Sequence, residues 1–260
     1  MTGVVRLPVA PRPFSDELLS SWMARVAGRY GLEVSELTAW LAEQGSGKQR
    51  RQINDSDPDQ NSLRPWMKAC RIDLTRLQRL SLKSRYPHSS GNWVLDGAGG
   101  IASVCLGCFD ADFAAGRDSY MRSHWKLSEH IVCPVHREML RDRCPECSGH
   151  LRVSSQMRNG LMRFFCRKCD GLLTCRGGEV ANLSEVEFAA RVLDLQRQAG
   201  RIARGEAERS VVLKHAIRTL WAPLDRVDAA RPVLALWFDQ PGWHCPFEVR
   251  GAVGTSFPLQ

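Results

Sequence analysis

The sequence predicts a mainly α-helical chain with a small β component in its middle third. Three observations carry that expectation. Apolar residues recur at helical spacing from Leu18 to Leu80. Four pairs of cysteine or histidine, each with two intervening residues, stand in line from Cys105 to Cys169. Capped, one-sided apolar stretches resume after Ser184. The domain organisation that follows is a helical N-terminal domain (1–100), a paired metal-finger middle (101–176) and a helical C-terminal domain (177–260).

In the first domain a helix is expected from Asp16 to Tyr30. Ser15 serves as N-cap, Asp16 and Glu17 lie at the positive end of the helix dipole, and Gly31 closes the C-terminus. Leu18, Leu19, Trp22, Val26 and Tyr30 share one face, which marks Trp22 as core. A second helix over Ser35–Ala42 would turn Leu37, Trp40 and Leu41 inward. The stretch Gly45–Gln60 is polar and charged and reads as an exposed loop. Helices resume over Leu63–Cys70 and Leu74–Leu80, compatible with a helix-turn-helix or with any small helical bundle.

The middle domain carries the chemistry. The pairs are Cys105/Cys108, Cys133/His136, Cys144/Cys147 and Cys166/Cys169. Thiolate and imidazole in fours suit tetrahedral zinc, so eight ligands predict two structural zinc ions, one Cys₃His and one Cys₄. Consecutive pairs are expected to share an ion, because the intervening loops then close locally; a cross-braced, RING-like arrangement is the alternative. Catalytic zinc keeps a coordination position for water, whereas here protein fills all four. Arg158-Asn159-Gly160, between Leu151–Val153 and Leu161–Phe165, predicts a β-hairpin and hence a zinc-ribbon-like layout. Tyr120 and Trp125 could stack on bases, but in so small a domain they read better as its core.

Charge is informative once metal is counted. The formal charge of +8 falls to about +5 when seven thiolates bind two divalent ions. From Arg117 to Arg176 there are 12 Lys/Arg against 6 Asp/Glu, while residues 177–260 balance at 10 and 10. The surplus is a modest footprint for nucleic acid, with Arg117, Arg122, Lys126, Arg163, Arg167 and Lys168 as the DNA-contact candidates.

Other classes lack their residues. There is no P-C-x-x-C, as a zinc deaminase needs, and no Walker loop, dinucleotide fingerprint or G-x-S-x-G. No catalytic residue is therefore assigned. The proline-broken opening is no signal peptide and no apolar run is long enough to span a membrane, so the expectation is a soluble cytoplasmic protein. In the C-terminal third, Ser184 and Glu187 form a capping box, Val186, Ala189, Ala190 and Leu193 give one apolar face, and Ser210 opens a helix that Pro223 stops.

The opening Leu7-Pro8, Pro11, Pro13, then Asp16-Glu17-Leu18-Leu19-Ser20-Ser21-Trp22 and Arg25, resembles the start of the TniQ/TnsD family of transposition target-selection proteins. Cys105-x-x-Cys108, Tyr120, Trp125, Cys133-Pro134-x-His136, Leu140 and Arg143-Cys144-Pro145-x-Cys147 resemble that family's central motif. The resemblance implies a bacterial, non-enzymatic adaptor. Such a protein links target DNA, or a complex seated on it such as an RNA-guided CRISPR effector, to an AAA+ transposition regulator that licenses a separate transposase. The stiff segment Leu7, Pro8, Pro11, Arg12 and Pro13 is the partner-contact candidate under that reading, expected to be dispensable for folding. A zinc-stabilised DNA-binding transcription regulator is the alternative.

Overall fold

A computed structural model describes residues 6–43, 54–86, 102–127, 130, 132–138, 140–174 and Asp194. The capping box at Ser184 and the helix expected from Ser210 lie outside these residues. Among the described residues the protein is helix-rich with one two-stranded sheet: α1 (Leu19–Gly28), α2 (Val34–Glu43), α3 (Gln60–Cys70), α4 (Leu74–Gln78), α5 (Leu82–Arg85), α6 (Leu106–Ala114), β1 (Val153–Arg158) and β2 (Leu161–Cys166). No helix among them is long and apolar enough to cross a membrane.

The chain divides into two compact units that interleave in sequence. The first comprises residues 1–91, 112–124 and 154–165. Its core is built by α1–α4. Leu19, Trp22, Met23, Val26 and Ala27 follow the i, i+3, i+4, i+7 spacing of one helical face and are fully buried. Trp22 meets Trp66 of α3 at 5.7 Å between ring centroids, tilted by 60°. Leu37, Leu41, Leu63, Ile72, Leu77 and Leu80 close the same cluster. Trp40, expected inward on α2, is instead 38% exposed, since Leu37 and Leu41 already fill that helix's inner face.

The start of α1 differs from the expectation. The helix begins at Leu19, three residues after Asp16, and Leu18 occupies the cap position without a side-chain bond. The carboxylate of Asp55 caps it instead, accepting from the Ser20 backbone N–H and from the Ser20 hydroxyl, both at 2.7 Å. Residues 16–18 are held back from the helix because they pair with another stretch of chain. Leu18 donates its backbone N–H to Met121 at 2.9 Å, Ser123 donates to the Asp16 carbonyl at 2.7 Å, and Glu17 bridges Arg122 in antiparallel sense.

The N-terminal segment is sewn onto this unit. Leu7 donates its backbone N–H to the Ala69 carbonyl at 3.0 Å and packs on the helical core. The Tyr30 hydroxyl accepts from the Val9 N–H and donates to the Val9 carbonyl, each at 2.7 Å. The Pro11 carbonyl accepts the Trp22 indole N–H at 2.8 Å, and that of Arg12 accepts from Arg25 at 2.8 Å. The expectation that this segment is dispensable for folding is therefore corrected: it satisfies two otherwise buried donors.

The second unit comprises residues 92–111, 125–153 and 166–260. Its core gathers Val104, Leu106, Phe109, Trp125, Leu127, Val132, Leu140, Leu151 and Leu173. Phe109 and Trp125 meet edge to face at 5.4 Å and 88°, a favourable quadrupole arrangement. Val104 and Arg141 exchange both backbone hydrogen bonds, at 2.9 and 2.7 Å, and Leu151 donates to the Asp142 carbonyl at 2.7 Å. In the first unit, the hairpin turns at Asn159 (φ 51°) and Gly160 (φ 75°), the two left-handed positions a type I′ turn requires.

Candidate metal centres

The eight predicted ligands come together as two groups of four, Cys105, Cys108, Cys133 and His136 in one and Cys144, Cys147, Cys166 and Cys169 in the other. Within each group the ligand atoms lie within 4.8 Å of one another. The pairs are thus shared first with second and third with fourth.

Three of the four pairs sit on the same backbone loop, repeated at Cys133, Cys144 and Cys166. In each, the residue four positions after the first cysteine donates its N–H to that cysteine's carbonyl: Arg137 and Ser148 at 2.9 Å, Asp170 at 2.8 Å. The first cysteine's own N–H then bonds the carbonyl one residue further, of Glu138, Gly149 or Gly171, at 2.8–2.9 Å. Closing the loop requires a left-handed residue at that fourth position, and Arg137, Ser148 and Asp170 have φ of 58°, 53° and 57°. The remaining pair, Cys105/Cys108, stands at the start of α6, where helical geometry brings residues three apart onto one side.

The spacings fit a tetrahedral ion. Bond lengths of about 2.3 Å to sulfur and 2.0–2.1 Å to nitrogen imply edges of about 3.8 Å between sulfurs and about 3.6 Å between sulfur and nitrogen. In the first group His136 Nδ1 lies 3.5, 3.3 and 3.7 Å from the sulfurs of Cys105, Cys108 and Cys133, and Cys108 and Cys133 are 3.6 Å apart. In the second group Cys144 and Cys169 are 3.6 Å apart, and Cys147 and Cys166 are 3.9 Å apart.

The electrostatics make the same point. Hydrogen bonds with Cys108 and Cys133, and then burial, push the Cys105 thiol far above its ordinary range. Burial pushes Cys144 up to about 12. Burial works to raise Cys166, but the backbone N–H groups of Cys169 and Lys168, with hydrogen bonds from Cys144 and Cys169, outweigh it and bring the thiol down to about 7. Sulfurs so close resist becoming thiolates together unless a cation compensates them, and a divalent ion supplies that charge. Four protein donors complete each set.

The six basic DNA-contact candidates divide by environment. Arg167 and Lys168 are exposed at the tip of the third loop, and Lys126 is half-buried. Arg117 keeps its side chain 47% exposed while pairing with Asp112 at 2.9 Å. Arg122 and Arg163 are buried. Arg122 pairs with Asp112 at 2.7 Å, and Arg163 donates to the Arg117 and Met162 carbonyls. Their guanidinium groups are committed inside the first unit, which corrects their expected place among surface contacts. Among the partner-contact candidates Pro8 and Arg12 are exposed, Leu7 and Pro11 half-buried and Pro13 buried.

Sequence reasoning missed a buried ionic stack in the first unit. Arg25 lies over the Phe14 ring at 4.3 Å, Phe14 stacks on Tyr120 at 4.3 Å, and Arg122 lies over Tyr120 at 3.8 Å. Glu17 and Asp118 neutralise Arg25, and Asp112 neutralises Arg122. A signal existed: Glu17, Ser21 and Arg25 form a polar i, i+4, i+8 stripe through an otherwise apolar stretch, and all three are buried.

Among curated proteins nothing matches the chain. A family model described as TniQ matches residues 8–140, half of the sequence. The match takes in the N-terminal segment, the ionic stack and the whole Cys₃His group. By that match the chain belongs to the TniQ family, and its role is in transposition.

Proposed function

We propose that the protein is a non-enzymatic adaptor for target-site selection in transposition, holding two structural zinc ions. It links target DNA, or a target-bound complex such as an RNA-guided one, to an AAA+ transposition regulator. The observation that carries the reading is the family match over residues 8–140, which spans both the strapped N-terminal segment and a complete four-ligand group. Zinc is the metal of choice because the donors are thiolate and imidazole at tetrahedral spacing. Full ligand sets leave the metal no position for substrate, so its work is to hold the loops.

On this reading the DNA contacts of the second unit come from Lys126, Arg167 and Lys168, and Arg117 adds one in the first. The exposed side of the N-terminal segment, Pro8 and Arg12 with Val9 at 53% exposure, is offered to the ATPase. Leu7, Pro11 and Pro13 hold that side in place.

The test is recruitment of the AAA+ ATPase to target DNA by the intact, zinc-loaded protein, followed by Pro8→Ala/Val9→Ser. Recruitment by the intact protein, reduced in the variant at unchanged melting temperature, supports the reading. Failure of the intact protein to bind the ATPase overturns it. Tight, single-sequence DNA binding without ATPase recruitment would instead identify a transcription regulator.

A further inference from the structure

The most basic stretch of the described chain lies outside the zinc region. From Arg64 to Arg85 there are seven Lys/Arg (Arg64, Lys68, Arg71, Arg76, Arg79, Lys83, Arg85) against a single acidic residue, Asp73. Three of them converge. Arg76 and Arg79, at the end of α4, and Arg85, at the end of α5, line a concavity of about 680 Å³ in the first unit. Phe14, Ser84 and Tyr86 complete its working surface, and no acidic side chain lines it.

The state of the three arginines is unusual. None takes part in an ion pair among the described residues, unlike Arg25, Arg29, Lys83, Arg117 and Arg122. Arg85 is half-buried, and its guanidinium is held by neutral acceptors, the Arg79 carbonyl at 2.9 Å and the Ser123 hydroxyl at 3.0 Å. Burial pulls Arg85 below the usual guanidinium range, and the partial fields of Tyr86, Asp16 and Glu17 do not offset it. Glu17 is already spent on Arg25, and Asp16 on the Tyr120 hydroxyl. A partly desolvated cation without a carboxylate partner costs stability unless an anion arrives from outside. Guanidinium forks match phosphate oxygens, and three of them round one hollow suit a backbone of successive phosphates better than a single carboxylate.

We infer that the Arg76/Arg79/Arg85 hollow is a binding site for the phosphodiester backbone of a nucleic-acid strand, separate from the zinc region. Arg76 and Arg79 are exposed and reach for phosphates that flank the hollow. Arg85, oriented by Ser123, meets the phosphate seated deepest. The Phe14 ring is covered by Arg25 and Tyr120, so it walls the hollow rather than stacking on a base. Recognition here is of the backbone and carries no base selectivity.

The test uses full-length, zinc-loaded protein and fluorescence anisotropy with a labelled 30-base-pair duplex between 50 and 200 mM salt. Arg76→Gln/Arg79→Gln removes two exposed cations that make no side-chain hydrogen bond among the described residues, so folding is preserved. Expected are about tenfold weaker binding at physiological salt and a salt slope shallower by about 2, because two phosphates are no longer neutralised. Arg64→Gln, exposed on α3 outside the hollow, is the matched control and should keep the wild-type slope. Arg85→Gln should weaken binding further, with its melting temperature measured alongside. Wild-type affinity and slope in the Arg76/Arg79 variant would overturn the inference, as would an equal loss in Arg64→Gln. A hollow that takes polyglutamate as tightly as DNA in competition would also overturn it. Loss only in Arg167→Gln/Lys168→Gln would place DNA binding in the zinc region alone, leaving the adaptor reading intact and this site refuted.

Discussion

Arg25 holds Glu17 through two parallel hydrogen bonds, Nε to Oε1 and Nη2 to Oε2, both at 2.8 Å, with both side chains out of solvent. Burial lowers Arg25's affinity for its proton, but the hydrogen bonds it donates to Glu17 and Asp118, and the charges of both carboxylates, outweigh it and raise the guanidinium further. The pair lies at the junction of α1, the N-terminal segment and residues 118–123. It ties three separate stretches into one unit.

Breaking that pair from one side should be expensive. Arg25→Ala leaves Glu17 buried without its partner, for an expected loss of about 3–5 kcal/mol. The double variant Glu17→Gln/Arg25→Met removes both charges and should lose less than the single change. Urea unfolding of the zinc-loaded protein measures both. A double variant no more stable than Arg25→Ala would show that the ion pair is not what the site depends on.

Asp118 makes stability sensitive to acid. Burial alone would raise its carboxyl, but the Met162 backbone N–H and the Arg25 and Arg29 guanidiniums hold it below the ordinary value of 3.8. A carboxyl depressed in the folded state contributes stability that is present above its unfolded value and lost as pH falls through the folded one. Glu17, raised mainly by burial, works in the opposite sense: its ionisation as pH rises removes part of that gain. Asp118→Asn should therefore lower stability at neutral pH and flatten the further decline below about pH 4. Melting temperature against pH checks this, and an unchanged acid limb would contradict it.

Metal content should be two zinc ions per chain in freshly purified protein. Cys144→Ser removes a ligand from the second group alone and should lower the content to one. The Cys105/Cys108/Cys133/His136 group, with its own helix start and loop, should keep its ion. Elemental analysis beside protein quantitation reads the result; one ion or none in the intact protein contradicts it.

Deleting residues 1–13 should cost stability. The truncation takes away the Pro11 carbonyl that accepts from Trp22 and the Arg12 carbonyl that accepts from Arg25, leaving two buried donors unsatisfied. Each costs about 1–3 kcal/mol, and more for the charged group. Trp22→Ala, at the centre of the helical core, should cost about 3–5 kcal/mol through the cavity it leaves. Thermal melts check both, and a truncated protein as stable as the full chain would show that the strap is ornamental.

The two Cys/His clusters were legible because their chemistry is local. Two side chains of cysteine or histidine separated by two residues face one point whenever the chain turns tightly, and four such pairs admit few groupings. The hairpin was legible for the same reason, since Asn159-Gly160 states its turn type in two residues. The start of α1 was not. Ser15, Asp16 and Glu17 satisfy every local rule for a helix N-terminus, yet Asp55, 35 residues from Ser20, supplies the cap. The loop that carries Asp55 read only as charged and exposed.

The sequence by itself determined the helical class, the eight residues of the two Cys/His clusters and the burial of Trp22, because period, residue type and short spacing are properties of neighbouring residues. Only the tertiary structure decided which charges are free. Arg25 and Asp118 are 93 residues apart and Arg122 and Asp112 are 10 apart, and no local pattern says that these pairs meet. Counting charge along the chain therefore placed Arg122 and Arg163 on the surface, where folding buries them, and passed over Arg76, Arg79 and Arg85. An ion pair is a contact between distant parts of a chain, and its existence is settled only when the fold brings them together.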